Sequence, residues 1–176
     1  MNQFPSTKNK FVYRNLQQYA VAAQPKRKHT PFRIVYAGLL GVAQDIYSII
    51  ENIPFQSIGA EFHLYGGGNQ AEKIKEYINK HPGCFVYYHG YVKKEQIAEE
   101  LSRYDASIVP LTVAIKGAVP SKIYDLIPIG IPILFCGGGE GAEIVSKYYF
   151  GMVSKPHDFK QLHNNIIELI NLPDEE

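Results

Sequence analysis

The sequence predicts an α/β domain, a doubly wound parallel sheet of five or six strands with helices on both faces. Three observations point to it. From Phe32 onward, short apolar, β-branched or aromatic runs alternate with segments of helical periodicity. The runs carry little internal polarity, as strands covered on both faces do. A glycine-containing loop follows each of the first five runs, on the side where such a sheet binds ligands.

Taken in order, the strand candidates are 33–37, 61–64, 85–88, 106–109, 132–135 and a weak sixth at 152–153. Helical spacing fills 43–52, 70–80, 94–103, 122–129, 141–148 and 159–170. Ile74, Tyr77 and Ile78 mark one apolar stripe, and Leu162, Ile166, Ile167 and Ile170 another. Pro156 precedes the last helix, for which Asp158 is the expected N-cap. Residues 1–30 differ from the rest. They are rich in Gln, Asn, Lys and Tyr, offer one short helix over 11–23, and end in the basic run Lys26-Arg27-Lys28. They read as a solvated linker or upstream segment, and residues 31–172 as the folded domain.

Bulk properties exclude several classes. A chain of 176 residues suits one domain and buries roughly two thirds of its unfolded surface. Hydrophobic residues make up 45% and charged residues 20%, an ordinary globular balance. The formal net charge of +1 gives no electrostatic footprint for nucleic acid. Cys84 and Cys136 stand in no CxxC or metal-like cluster, so free thiols in a reducing compartment are expected. No apolar run approaches the ~18 residues of a membrane span. Met1 is followed by polar residues without the apolar core of a signal peptide. The expectation is a soluble cytoplasmic protein.

The loops carry the functional signal. They are Ala37-Gly38-Leu39-Leu40-Gly41, Tyr65-Gly66-Gly67-Gly68, His89-Gly90-Tyr91-Val92, the stretch 110–120 leading into Ser121-Lys122, and Cys136-Gly137-Gly138-Gly139. Glycine lets backbone N–H groups come close to a ligand, and a helix start behind such a loop favours phosphate. The spacing is not GxGxxG, so a dinucleotide fingerprint is absent. Singly, each loop could be a tight turn, and Ser121-Lys122 a plain cap beside a solvated lysine. Jointly they favour a site in which Ser121 caps a helix and Lys122 reaches an anion. His63, His81 and His89 are scattered, read as structural or solvated, and no nucleophile–base pair is evident.

The order Ala-Gly-Leu-Leu-Gly-Val-Ala-Gln, Leu-Tyr-Gly-Gly-Gly, His-Gly-Tyr-Val and Tyr-Asp-Ala-Ser-Ile-Val-Pro-Leu resembles retaining glycosyltransferases of the GT-B fold, the glycosyl transferases group 1 type. The segment from Gly117 through Pro-Ser-Lys-Ile-Tyr-Asp is similar to the one that places an acidic residue on the donor ribose. The resemblance covers about 33–170. It implies a Rossmann-like carboxyl-terminal half of a GT-B enzyme that binds a nucleoside diphosphate sugar. Gly38 and Gly41 match the loop facing the diphosphate and sugar. Gly90, Tyr91 and Val92 match the loop that recognises the base. Ser121 and Lys122 would sit by the phosphates, where Lys122 stabilises charge on the departing diphosphate. Asp125 matches the second acid of the family's Glu-x7-Glu pattern and would accept the ribose hydroxyls.

The sequence departs from the family at four points: Gly117 stands at the first acidic position, Leu39 and Gln44 stand where basic residues are common, and Asp125 is one methylene shorter than the glutamate of the pattern. Phosphate charge would then rest on Lys122, Lys116 and backbone dipoles. No cofactor or metal is expected. An acceptor glycan or lipid-linked sugar would be met through an amino-terminal domain outside this sequence, so the chain is expected to be inactive alone. Polysaccharide or glycan biosynthesis is the implied setting. For the whole enzyme, peripheral membrane association at the inner face is the alternative to a purely cytoplasmic place, and no nucleic-acid partner is expected. Competing readings are a degenerate binding-only module and half of a GT-B sugar-nucleotide epimerase.

Overall fold

A computed structural model describes residues 27–113 and 119–173. The helix expected over 11–23, Lys116 and Gly117 lie outside the described residues. Six parallel strands form one sheet: β1 (Phe32–Ala37), β2 (Ala60–Tyr65), β3 (Val86–Gly90), β4 (Ala106–Pro110), β5 (Ile133–Cys136) and β6 (Gly151–Ser154). Their spatial order is β3-β2-β1-β4-β5-β6. Every predicted strand is present, including the weak sixth, which pairs Gly151 with Ile133 and Ser154 with Cys136. The helices are α1 (Ile46–Asn52), α2 (Ala71–Lys80), α3 (Ile97–Leu101), α4 (Ser121–Leu126), α5 (Glu140–Lys147) and α6 (Phe159–Asn171).

The apolar strands split their side chains between two cores. Ile34, Tyr36, Ile108 and Leu134 face α1, α2 and α6, where Ile46, Ile74 and Ile166 are wholly buried. Val35, Val109, Ile133 and Phe135 face α3, α4 and α5, against Leu101, Ile123 and Val145. This is why the runs look continuously apolar: period-two alternation is hidden when both faces are covered. Cys136 is buried and Cys84 half-buried, both free thiols. Burial pushes the Cys136 thiol up to about 12, which makes it inert at neutral pH.

Helix boundaries differ from the sequence pattern where the backbone breaks register. Asp45 adopts a left-handed conformation (φ 44°, ψ 48°), so α1 begins at Ile46 rather than at 43. The segment 94–103 divides into one 3-10 turn, Lys94–Gln96, and the short α3. After α4, Pro128 lacks the N–H that an α-helix needs. The chain therefore passes through a 3-10 turn, Ile127–Ile129, and stops at left-handed Gly130. Asp158 caps α6 as expected, its carboxylate accepting the Gln161 N–H at 2.9 Å.

The end of the basic run is packed rather than solvated. The Lys28 ammonium donates to the carbonyls of Leu169, Ile170 and Leu172, which terminate α6. Asp105 is 8% exposed; its carboxylate accepts the backbone N–H of Arg33 at 2.7 Å and that of His29 at 3.2 Å. Lys28 is thereby fastened to the end of α6 and His29 to Asp105, just before β4. Among the described residues no helix is long and apolar enough to cross a membrane.

Candidate functional site

The first three loops lock together at the carboxyl edge of the sheet. Gly38 donates to the Tyr65 carbonyl at 2.9 Å and Leu40 to that of Gly67 at 2.8 Å; Gln70 returns a bond to the Leu40 carbonyl at 3.0 Å. Gly66 donates to the Gly90 carbonyl at 2.7 Å, and the Tyr88 hydroxyl donates to the Gly66 carbonyl at 2.8 Å. Approach is so close that a Cβ on Gly66 would lie 1.9 Å from the Gly38 carbonyl oxygen. A Cβ on Gly67 would lie 2.1 Å from the Tyr91 hydroxyl. The glycine run after β2 is a contact surface between loops, which a bare turn does not require.

Beside these loops a cavity of about 460 Å³ opens between the sheet edge, α3 and α4. It lies where the chain order reverses between β1 and β4, the place where open α/β sheets take ligands. Ile97, Ala98 and Leu101 of α3 form one wall, and Leu126 and Ile129 continue another. Polar groups reach it from Lys94, Ser107, Lys122 and Asp125.

Lys122 is half-buried and folds over Gly38: a Cβ there would lie 2.3 Å from its Nζ. Its Nζ stands 5.7 Å from the centre of the Tyr36 ring. It makes no ion pair with a carboxylate among the described residues. Burial lowers its pKa, against the nearby charge of Asp125. Asp125, three residues on and on the same helical side, has its carboxyl raised by burial, against Lys122 and Lys94. The cavity thus holds a poorly solvated ammonium beside a carboxylate, both facing an apolar space.

The sequence-predicted residues divide into two groups. Gly38, Tyr91, Val92, Lys122 and Asp125 line the cavity. Gly41, Gly90 and Ser121 stand outside the lining. Gly41 turns the chain, its carbonyl accepting the Asp45 N–H at 3.0 Å, and Gly90 supports Gly66. Ser121 does not cap: the N-cap position of α4 is Pro120, and no side chain closes that end. The chain enters α4 one residue earlier than a serine cap requires, which leaves Ser121 exposed in the first turn.

A family model of glycosyl transferases group 1 matches residues 31–172. The chain belongs to this glycosyltransferase family. No curated protein sequence matches it. Among solved structures it is similar to the catalytic domain of cholesterol-alpha-glucosyltransferase from Helicobacter pylori, at 19% identity and TM-score 0.59, over 80% of this chain and 87% of that one. It is also similar to the S. aureus TarM G117R mutant in complex with Fondaparinux, alpha-GlcNAc-glycerol and UDP, at 19% identity and TM-score 0.70, over 97% of this chain and 34% of that one. HepE from Anabaena in complex with UDP-glucose matches at 17% identity and TM-score 0.66, over 80% of this chain and 39% of that one. At these identities the likeness is one of fold. That fold is a Rossmann-like half of the GT-B architecture, and the chain spans 34% and 39% of the last two proteins.

For this glycosyltransferase domain the sequence reading missed Tyr65, Lys94, Ser107 and the α3 wall. Ile97, Ala98 and Leu101 read as ordinary core positions, because an apolar helix face looks the same whether it meets a sheet or a cavity. Lys94 carried no motif. Tyr65 was read only as the first residue of the glycine loop, without a role for its side chain, whereas it ends β2 and lines the cavity.

Proposed function

We propose that the chain is the donor-binding domain of a retaining glycosyltransferase and holds a nucleoside diphosphate sugar in the cavity between α3 and α4. The observation that carries this reading is Lys122: a half-buried ammonium without an ion pair among the described residues, lining a cavity at the topological switch of the sheet. A desolvated cation with no carboxylate at ion-pair distance among the described residues is only partly balanced by the nearby Asp125 charge, and it gains when an anion arrives. Lys122 and Lys94 meet the phosphates, so the reading calls for no metal. Asp125 accepts ribose hydroxyls, since a carboxylate can take two at once. The apolar wall of α3 and Val92 contacts the base. Two of the structural neighbours were solved with UDP or UDP-glucose, which supports this ligand class.

Calorimetric titration of the domain with UDP, GDP and the free nucleosides at fixed salt tests the reading. Binding of a diphosphate is expected. Asp125→Ala should weaken nucleoside and nucleoside diphosphate alike by about 1–3 kcal/mol, the loss of hydrogen bonds to a charged group. If Asp125→Ala binds both as tightly as wild type, the ribose assignment is wrong. If no nucleotide binds at millimolar concentration, the binding-only module becomes the better reading, in keeping with Leu39 and Gln44 where basic residues are common.

Transfer itself requires the second wall of a GT-B cleft, which presents the acceptor. On this reading the purified chain transfers no sugar, and it serves glycan or polysaccharide synthesis as part of a larger enzyme. A radiolabelled donor incubated with glycan and lipid-linked acceptors should be recovered intact; transfer to any acceptor would overturn the claim.

A further inference from the structure

Next to the cavity, on the face of β2 and β3, lies a titratable cluster that the donor reading leaves unused. His63 Nδ1 stands 2.9 Å from His89 Nε2, with the two rings near-parallel. The other nitrogen of His63, Nε2, lies 3.3 Å from the Glu61 carboxylate, which also meets Arg33 Nε at 3.3 Å. His89 stacks on Tyr65 with ring centres 4.7 Å apart. The Tyr65 hydroxyl donates to Glu100 of α3 at 2.6 Å and meets the Tyr104 hydroxyl at 2.8 Å. Tyr87 and Tyr104 flank His63 at 4.9 and 5.1 Å. Arg103 pairs with Glu100 at 3.1 Å. The chain runs from His89 directly into Gly90, Tyr91 and Val92.

These contacts assign the protons. A carboxylate only accepts, so His63 carries its proton on Nε2, toward Glu61. Its Nδ1 is then a bare lone pair, and His89 Nε2–H must be the donor in the contact between the rings. One more proton can enter without breaking anything: on Nδ1 of the exposed His89 ring, which faces Glu100 charge. A second can only go onto His63 Nδ1, where it would set two N–H groups against each other. That step ruptures the contact.

We propose that the His63–His89 contact is a proton-operated latch on the donor cavity. While it is closed, His89 is held against Tyr65, a cavity residue, and the Gly90–Val92 loop is anchored at its base. When the second proton arrives and both rings are charged, the His89 ring leaves Tyr65, and the cavity loses support on the side of Tyr91, Val92 and α3. Partial desolvation among the packed rings lowers the pKa of both; for His63, Glu61 opposes this while His89 and Arg33 add to it, and for His89 the Glu100 charge opposes it. The folded state therefore takes these protons later than the unfolded chain. Its stability is full at neutral pH and declines as pH falls below the unfolded histidine value of ~6.5 toward the lowered ones. The latch rests on the donor-site reading for its purpose, but not for its existence.

The test is an NMR titration of the ligand-free domain from about pH 8 to about pH 5, spanning histidine ionisation. The imidazoles should titrate in two coupled steps, and the amides of Tyr91 and Val92 should move with the second. In His63→Gln the amide oxygen can accept from His89 and the amide nitrogen can donate to Glu61, so the contact survives without a titrating partner. There the Tyr91 and Val92 amides should stay still. In His89→Gln, which keeps a donor toward His63, the first step should vanish and the His63 midpoint should rise. Amides that do not move in wild type, or that move equally in His63→Gln, overturn the latch whether or not any nucleotide binds. Where UDP or GDP binds, its affinity should fall about tenfold more in wild type than in His63→Gln on acidification by two pH units, one pK unit of linkage. Equal falls would leave the loop uncoupled from the cavity and reject the proposal.

Discussion

Lys122→Met should remove most of the affinity for a nucleoside diphosphate while leaving nucleoside affinity within about twofold. Hydrogen bonds to charged groups contribute about 1.5–3 kcal/mol, or roughly 10- to 150-fold in affinity. Methionine keeps the apolar stem that packs over Gly38 and Tyr36, so the change isolates the charge. The same substitution is expected to leave the ligand-free domain as stable as wild type or more stable, by up to about 1 kcal/mol, because it removes a desolvated ammonium that has no ion pair. The pH dependence follows from the direction of the shift. Burial lowers the Lys122 pKa, so the folded domain binds fewer protons than the unfolded chain at alkaline pH. Its stability should rise as pH climbs through the lowered value toward ~10.4, where the unfolded lysine titrates, and Lys122→Met should lose that rise. Nucleotide affinity in wild type should fall over the same range, since the neutral amine meets phosphate poorly. Calorimetry at neutral and alkaline pH, paired with urea unfolding, separates these effects. Equal losses for nucleoside and diphosphate, or a clear drop in stability, would show that Lys122 is a packing residue.

Gly66→Ala should be among the most damaging single substitutions in the domain. Two independent effects add. Gly66 has φ 118°, a conformation that side chains avoid, and its Cβ would sit 1.9 Å from the Gly38 carbonyl oxygen, a backbone atom that cannot swing away. Strain of each kind is of order 1–3 kcal/mol, so a loss of about 3–5 kcal/mol is expected. For a domain of this size that is a fall of about 6–20 °C in melting temperature. Gly83→Ala is the control: its φ of 87° imposes backbone strain, but nothing stands within 4 Å of the added atom. The difference between the two variants therefore reads the loop–loop contact alone. If Gly66→Ala is no worse than Gly83→Ala, the three loops are not locked as the distances imply. Where Gly66→Ala still folds, nucleotide binding should weaken with it, because Gly90 is hydrogen-bonded to this position and Gly38 packs against it.

Among the described residues, local pattern was enough to read every strand, every helix to within a turn or so, the Asp158 cap and the family. These features depend on periodicity, turn chemistry and short spacing, all of which lie along the chain. Lys122 and Asp125 were legible as a helical pair for the same reason: they sit three apart on one predicted helix next to a recognisable segment, and both line the cavity. Tyr65, the α3 wall and the His63–His89 contact were not legible. His63 and His89 are 26 residues apart, and nothing near either one specifies the other. They meet because β2 and β3 are neighbours in register, with Phe62 opposite Val86 and Leu64 opposite Tyr88. Likewise Ser121 looked like a cap until the backbone placed Pro120 at that position. By itself the sequence determined which segments become strands and helices, where the chain turns, and the glycosyltransferase family. The order β3-β2-β1-β4-β5-β6, the closeness of Gly66 to Gly38, and the half-buried ammonium of Lys122 at a cavity were decided only when distant segments packed, because burial and contact between distant segments are properties of neighbours in space, which a linear pattern does not record.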